Sequence, residues 1–316
     1  MAIERIPVSN RAAWLKLRER DVTASVAAAL FGEHPWTTRF ELWNLKAGRT
    51  KEDPEESPAM QRGRLLEPVA VALMREKKPD WIVKHNSGRG QEYWRDSKRR
   101  IGATPDVLID DGDGKLGIVQ IKSVDQFAFK EKWLADGKLG QPKTWEIEPP
   151  LYVVIQAMIE AALVGADVAY VAPLVVMHGL EMPLVEIPRH DGVWDRLIEE
   201  VADFWASIEA GEEPAPDYKK DAALLSSLGR RDNGKTIDLT GDNRIQELLE
   251  QRDRGKTLIK QGEALVDEAE PDIIAKIGDY EAATVPGWAK VRRPTVSRKE
   301  YTVKASTYRK LEIKRA

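Results

Sequence analysis

The chain has 316 residues, 42% of them hydrophobic and 32% charged, with a formal net charge of −3. That balance fits a folded chain with a real core, of one large domain or two ordinary ones, and excludes wholesale disorder. Cys is absent, which excludes disulfides, thiolate metal sites and Cys nucleophiles, and the four His include no i, i+4 pair of the zinc-protease kind.

The opening MAIERIPVSN has no apolar signal region. No stretch reaches the roughly 20 apolar residues of a membrane helix, so a cytoplasmic chain is expected. A helix is predicted from about Asn10 to Glu19, and a second from the N-cap residue Thr23 to Gly32. A third runs from Thr37 or Thr38 to Gly48. After an acidic loop at 50–58, Ser57-Pro58 reads as a cap and first turn, opening a helix to Met74 or Arg75. Pro68 inside it is expected to kink the helix or mark its true start, because it has no N–H for the carbonyl of Arg64.

Strands are predicted at 81–87, around Tyr93-Trp94, at 103–110 and at 116–124, the last two joined by the turn Asp111-Gly112-Asp113-Gly114. A helix over 127–134 and a long loop over 136–150 lead to an apolar helix at 151–165. Strands at 168–176 and 184–188 precede an amphipathic helix from Trp194 to Ala210. Gly211 to Pro216 is a linker signal. Residues 243–276 show helical spacing with Pro271 near a helix start, and strands are expected at 280–285, 289–292 and 301–304. From Pro286 to Ala316 ten Lys/Arg stand against two Glu, a basic tail that the near-neutral total conceals.

Three features could carry chemistry. Pro105-Asp106 opens one strand, Gln120-Ile121-Lys122 lies on the next, and Glu67 lies on the preceding helix. Gln120 and Lys122 share a face of their strand. Asp106 can stand beside them, and a helix packed on that face could deliver Glu67. Asp106, Glu67, the Gln120 amide oxygen and the Ile121 backbone carbonyl are hard oxygen donors suited to Mg²⁺. Two such ions about 3.5–4 Å apart would serve phosphodiester hydrolysis, with Lys122 orienting the attacking water and offsetting phosphate charge.

Trp14-Leu-Lys-Leu-Arg18, Val22-Thr-Ala-Ser25, Gly63-Arg-Leu-Leu-Glu67, Thr104-Pro-Asp106 and Gln120-Ile-Lys122 occur in that order. Together they resemble the YqaJ-type viral recombinase family, which includes the lambda-type phage exonucleases of the PD-(D/E)xK nuclease superfamily. The resemblance covers about residues 10–205. It implies an α/β fold, a mixed sheet flanked by helices of the restriction-endonuclease-like type. A helical and β-hairpin extension would follow: a core over 1–212, a linker region over 213–242 and the extension over 243–316. It further implies a Mg²⁺-dependent 5′→3′ exonuclease of double-stranded DNA ends, with Mn²⁺ as an alternative ion. Relatives form a toroidal trimer and work beside a single-strand annealing protein.

By position, Glu67, Asp106 and Lys122 match active-site residues of the family. Asp96 matches a further carboxylate, with a solvated turn as its bland alternative, and Gln156 matches a glutamine near the active centre. Arg18 matches the arginine that binds a terminal 5′-phosphate, with Ser25 and Thr104 as hydroxyls beside it. A helix starting at Thr23 would add free N–H groups there. The family has Glu where this chain has Gln120, and the amide removes one negative charge. That fits a natural variant of lowered activity and an engineered substitution equally. A related endonuclease and a DNA-end-binding module are the alternative functions. Trp36 could stack on a base or wedge a DNA end. Arg292, Arg293, Arg298 and Lys299 could contact the DNA backbone, or the tail could dock a partner.

Overall fold

The computed structural model describes residues 3–51, 56–228, 234 and 236–297. The chain divides into two compact units, Met1–Leu228 and Gly229–Ala316. In the first unit, strand β1 (Ile3–Pro7) has no counterpart among the elements expected from sequence. Helix α1 (Arg11–Glu19) is capped by Asn10, whose Oδ1 accepts from the Ala13 N–H at 2.9 Å.

The helix expected from Thr23 is absent. Strand β2 (Val22–Thr23) and a short 3-10 turn (Ala27–Phe31) take its place, and Gly32 at φ 74° ends the turn. The reason lies in the backbone: Val22 N and Ala24 N donate to Arg100 O and Gly102 O at 2.8 and 2.9 Å. Those donors would stand open at a helix start.

Helix α2 (Arg39–Lys46) is capped by Thr38, and helix α3 (Pro58–Lys77) by Ser57. Helix α3 runs through Pro68 without ending there. Strands β3 (Ile82–His85), β4 (Glu92–Asp96), β5 (Ile101–Ala103), β6 (Val107–Asp110) and β7 (Leu116–Asp125) follow. The single strand expected over 103–110 is thus split at Thr104–Asp106. Helices α4 (Gln126–Lys132) and α5 (Leu151–Val164) lead to β8 (Val168–Val176), β9 (Leu180–Glu181) and β10 (Val185–Ile187). Helices α6 (Asp191–Ala210) and α7 (Ala222–Ser227) complete this unit.

The fold is mixed α/β. One sheet has the order β10-β8-β7-β6-β3, with β9 on β8; a smaller one has the order β1-β4-β5-β2. Strands β7 and β8 pair in parallel from Gly117↔Val168 to Asp125↔Val176. A parallel pair needs a long crossover, which α4 and α5 provide. Alternation along β7 divides the core. Val119 and Ile121 pack with Ala70, Val71 and Met74 of α3, whereas Ile118 and Val124 share a cluster with Val153, Ile155 and Ile159 of α5. The segment 213–228 packs on this unit: Glu213 accepts from Asn44 at 2.9 Å, and Asp221 from Thr38 at 2.6 Å.

In the second unit, helix α8 (Asn243–Ile277) passes through Pro271 rather than starting there. Strands β11 (Ala282–Val285) and β12 (Ala289–Arg292) form an antiparallel hairpin. The strand expected at 301–304 lies outside the described residues. No helix among the described residues is long and apolar enough to cross a membrane.

Strand β5, which leads into the Thr104–Asp106 connection, is sealed by Tyr93. A Cβ on Gly102 would sit 1.8 Å from the Tyr93 hydroxyl oxygen. That hydroxyl donates to the buried Asp21 carboxylate at 3.0 Å, so the ring has no free path to yield. Gly102→Ala is expected to lower stability by at least about 2 kcal/mol in urea denaturation.

Candidate active site

Pro105 and the end of the β6–β7 ladder create the site. The ladder begins with Val107 opposite Val119. Continuing that register would set residue 105 opposite Ile121, but proline has no N–H to give the Ile121 carbonyl. Side chains take over both open groups. The Ile121 N–H donates to Asp106 Oδ2 at 2.8 Å, and the Gln120 Nε2 amide donates to the Ile121 carbonyl at 3.2 Å. Gln120 Nε2 also donates to Asp106 Oδ2 at 2.5 Å. Buried Asn86 clamps the same corner, donating from Nδ2 to Pro105 O at 2.8 Å, while its N–H donates to Asp106 O at 2.9 Å.

A second glutamine extends the network. Gln156, on α5, donates from Nε2 to Gln120 Oε1 at 3.0 Å and to Glu160 Oε1 at 2.9 Å. Its Oε1 accepts from Lys122 Nζ at 2.9 Å. Gln120 and Lys122 therefore face α5. Helix α3 covers the opposite face of β7, so Glu67 does not arrive from a helix packed on the Gln120 face, as the sequence suggested. It still lines the same cleft of about 730 Å³ as Asp106, Gln120, Lys122 and Gln156. Glu67 Oε1 lies 2.6 Å from His85 Nε2, and Ser87 Oγ lies 3.0 Å from His85 Nδ1.

The electrostatics follow from burial. Asp106 touches the cleft but is closely surrounded by protein atoms. Burial and then the Glu67 charge push it up to about 7, against the pull of Lys122 and the Ile121 N–H. Burial and then the Asp106 charge hold Glu160 well above the usual carboxylate range. Among the described residues its Oε2 has no hydrogen-bond partner.

Arg18, Ser25 and Thr104 line the same cleft. Arg18 Nη1 donates to Ser25 Oγ at 3.4 Å, Ser25 Oγ lies 3.2 Å from Thr23 Oγ1, and Trp14 Nε1 donates to Thr104 Oγ1 at 3.0 Å. The Arg18 guanidinium lies over the Trp14 ring at 4.4 Å from its centroid. No helix start lies at Thr23, so the N–H contribution expected there falls away. Trp36 stands at the rim, 72% exposed, and packs edge-on against His34 and Tyr152.

Other expected residues lie elsewhere. Asp96 does not line the cleft. Its Oδ1 accepts from Lys98 N and Arg99 N at 3.1 Å each, and its Oδ2 from Arg99 Nη1 at 2.7 Å, which makes it the organiser of a turn. Arg292 and Arg293 belong to the second unit and are engaged there by Glu281 and by the Gly278 carbonyl. Arg298 and Lys299 lie outside the described residues.

Sequence reasoning missed Glu160, His85, Asn86 and Arg62, which lines the cleft and donates to Ser123 O at 2.9 Å. A signal existed for Glu160: a lone carboxylate in the apolar helix LYVVIQAMIEAALV, four residues after Gln156.

Asp106 and the Ile121 carbonyl are hard oxygen donors whose chemistry fits a divalent cation. No cluster of three or more His, Cys, Asp or Glu that could hold one occurs among the described residues. A cation here would have one carboxylate and neutral oxygens as ligands, with the Gln120 amide oxygen turned toward it.

Residues 13–167 match the family model described as the YqaJ-like viral recombinase domain. Over this stretch, just under half of the chain, the sequence is similar to that domain. An alkaline exonuclease from Laribacter hongkongensis is similar in structure, at 23% identity and TM-score 0.45, over 68% of this chain and 99% of that one. A phage related exonuclease from Haemophilus somnus is similar at 14% identity and TM-score 0.41, over 66% and 96%. No curated protein sequence matches the chain.

The upward push on Asp106 has a measurable consequence with divalent cations chelated. The unfolded chain ionises at its ordinary value near about 4. Between that pH and about 7 the folded protein binds more protons than the unfolded one. Its stability should therefore fall as pH rises through the window. Asp106→Asn keeps an acceptor for both donors and removes the charge. In urea denaturation it should exceed the parent at pH 8 by on the order of 1 kcal/mol, and lose that advantage at pH 4.

Proposed function

We propose that this protein is a divalent-cation-dependent DNA exonuclease of phage-type recombination. It would act 5′→3′ on duplex ends and leave a 3′ single strand for annealing. What carries the reading is one cleft lined by both a carboxylate–amide–ammonium cluster and an Arg–hydroxyl cluster. The first group set suits hydrolysis of a phosphodiester; the second suits a terminal phosphate. The YqaJ-like domain gives the reading its substrate class.

In this reading Asp106, the Ile121 carbonyl and the Gln120 amide oxygen would hold the ion, with Glu67 near a second position. Mg²⁺ is the ion of choice and Mn²⁺ the alternative. The ion, when bound, supplies Lewis-acid activation of water and charge neutralisation at the phosphate. Lys122 orients the attacking water and offsets phosphate charge. Arg18, Ser25 and Thr104 hold the 5′-phosphate and set the register of cleavage. Trp36 covers the entry and stacks on the terminal base. Arg292 and Arg293 would track the DNA backbone. A homotrimer and a single-strand annealing partner belong to the same reading.

A second reading is a DNA-end-binding protein of weakened catalysis. The observation favouring it is the Gln120 amide, which turns its nitrogen toward Asp106 where the family carries a carboxylate.

Digestion of linear duplex with Mg²⁺ separates the readings. 5′-Phosphorylated ends should yield mononucleotides faster than 5′-hydroxyl ends, and Arg18→Ala should erase that preference. Lys122→Ala should lower the rate at least about a hundredfold; full activity in that variant would sink the mechanism. Binding without cleavage, restored by Gln120→Glu, would establish the second reading.

A further inference from the structure

Gln120 Nε2 stands between two acceptors, Asp106 Oδ2 and the Ile121 carbonyl. These are the oxygens that the proposed function gives to a cation, so the amide N–H₂ bridges them as a neutral stand-in. The orientation is fixed from behind, because Gln120 Oε1 accepts from Gln156 Nε2. Reversing the amide in place would set its oxygen against a carboxylate oxygen and a carbonyl oxygen. That is repulsive without a positive charge between them and favourable with one.

The reversal cannot stop at Gln120. Its nitrogen would then meet Gln156 Nε2, donor against donor. Relief comes if Gln156 reverses too, giving its oxygen to Gln120 and to Glu160. In its protonated form, which burial favours, Glu160 can meet that oxygen as a donor, and its Oε2 has no hydrogen-bond partner among the described residues. The same reversal turns Gln156 Nε2 toward Lys122 Nζ and ends the 2.9 Å bond now made by Gln156 Oε1. We propose that Gln120 and Gln156 form a two-amide relay: a divalent cation entering beside Asp106 reverses both amides and releases the Lys122 ammonium into the cleft. The relay rests on the proposed cation site but not on any catalytic step. It makes Lys122 available only when the cation is in place.

The test is a Mg²⁺ titration of the DNA-free protein, with ¹⁵N labels in glutamine side chains and lysine ammonium groups. Gln120, Gln156 and Lys122 signals are expected to move together with one midpoint, although neither Gln156 nor Lys122 would be a ligand. Movement of Gln120 alone would overturn the relay while leaving the cation site intact. A complementary arm uses Gln120→Glu, read by Mn²⁺ calorimetry and thermal unfolding. Without cation this variant should melt lower than the parent, because a carboxylate replaces the bridging N–H₂ beside Asp106. With Mn²⁺ it should bind at least about tenfold tighter, since added ligand charge raises affinity. A variant that melts lower yet binds no tighter would overturn the stand-in role of Gln120. No Mn²⁺ binding by either protein would sink the proposed function itself, together with the relay.

Discussion

A poorly solvated carboxylate at the edge of the cleft that must be satisfied by dipoles is the constraint on which the rest depends. Asp106 sits where one strand ladder ends, and the two groups that meet it are a backbone N–H and an amide of the neighbouring strand. Pro105 makes that arrangement necessary by withholding a ladder donor. Asn86 makes it rigid by tying down the backbone of the same corner. Because the charge is poorly solvated and stands near Glu67, the site favours any positive group that can be brought to it. Lys122 is held close but engaged by Gln156, and the Gln120 amide fills the nearest position.

Much of this was legible in the sequence, for physical reasons. Caps at Asn10, Thr38 and Ser57 and the αL stop at Gly165 are local signals, and the helices follow them. The hairpin turn between β6 and β7 fixed a register that set Asp106 beside Gln120 and Lys122. The failures came where long-range pairing overrode local propensity. ASVAAALF reads as a helix, yet its N-terminal neighbours pair with the strand at 101–103 before a helix can start. The charged strand at 3–7 is decided by its partner β4 rather than by its own pattern. Pro271 falls inside a helix rather than near its start, and a helix runs through Pro68 as well, since context tolerates what propensity disfavours.

The polar residues divide in the same way. Spacing brought Asp106, Gln120 and Lys122 forward because they lie on adjacent strands. Glu160 and Asn86 remained hidden because their significance is burial, and a single sequence shows burial poorly. Asp96 shows the reverse error. A carboxylate in a plausible position is consumed by the backbone donors of its own turn.

The parallel pairing of β7 with β8 sets an order of assembly. The strand bearing Gln120 and Lys122 finds its neighbour only after some forty further residues have been made, and the helix bearing Gln156 and Glu160 lies within that interval. A polypeptide still leaving the ribosome can form the β6–β7 hairpin early, since its contacts are local. It cannot enclose the polar centre until residue 176 has emerged. The geometry of the candidate site is thus a late product of synthesis, and the half-made chain holds its acidic groups open to water.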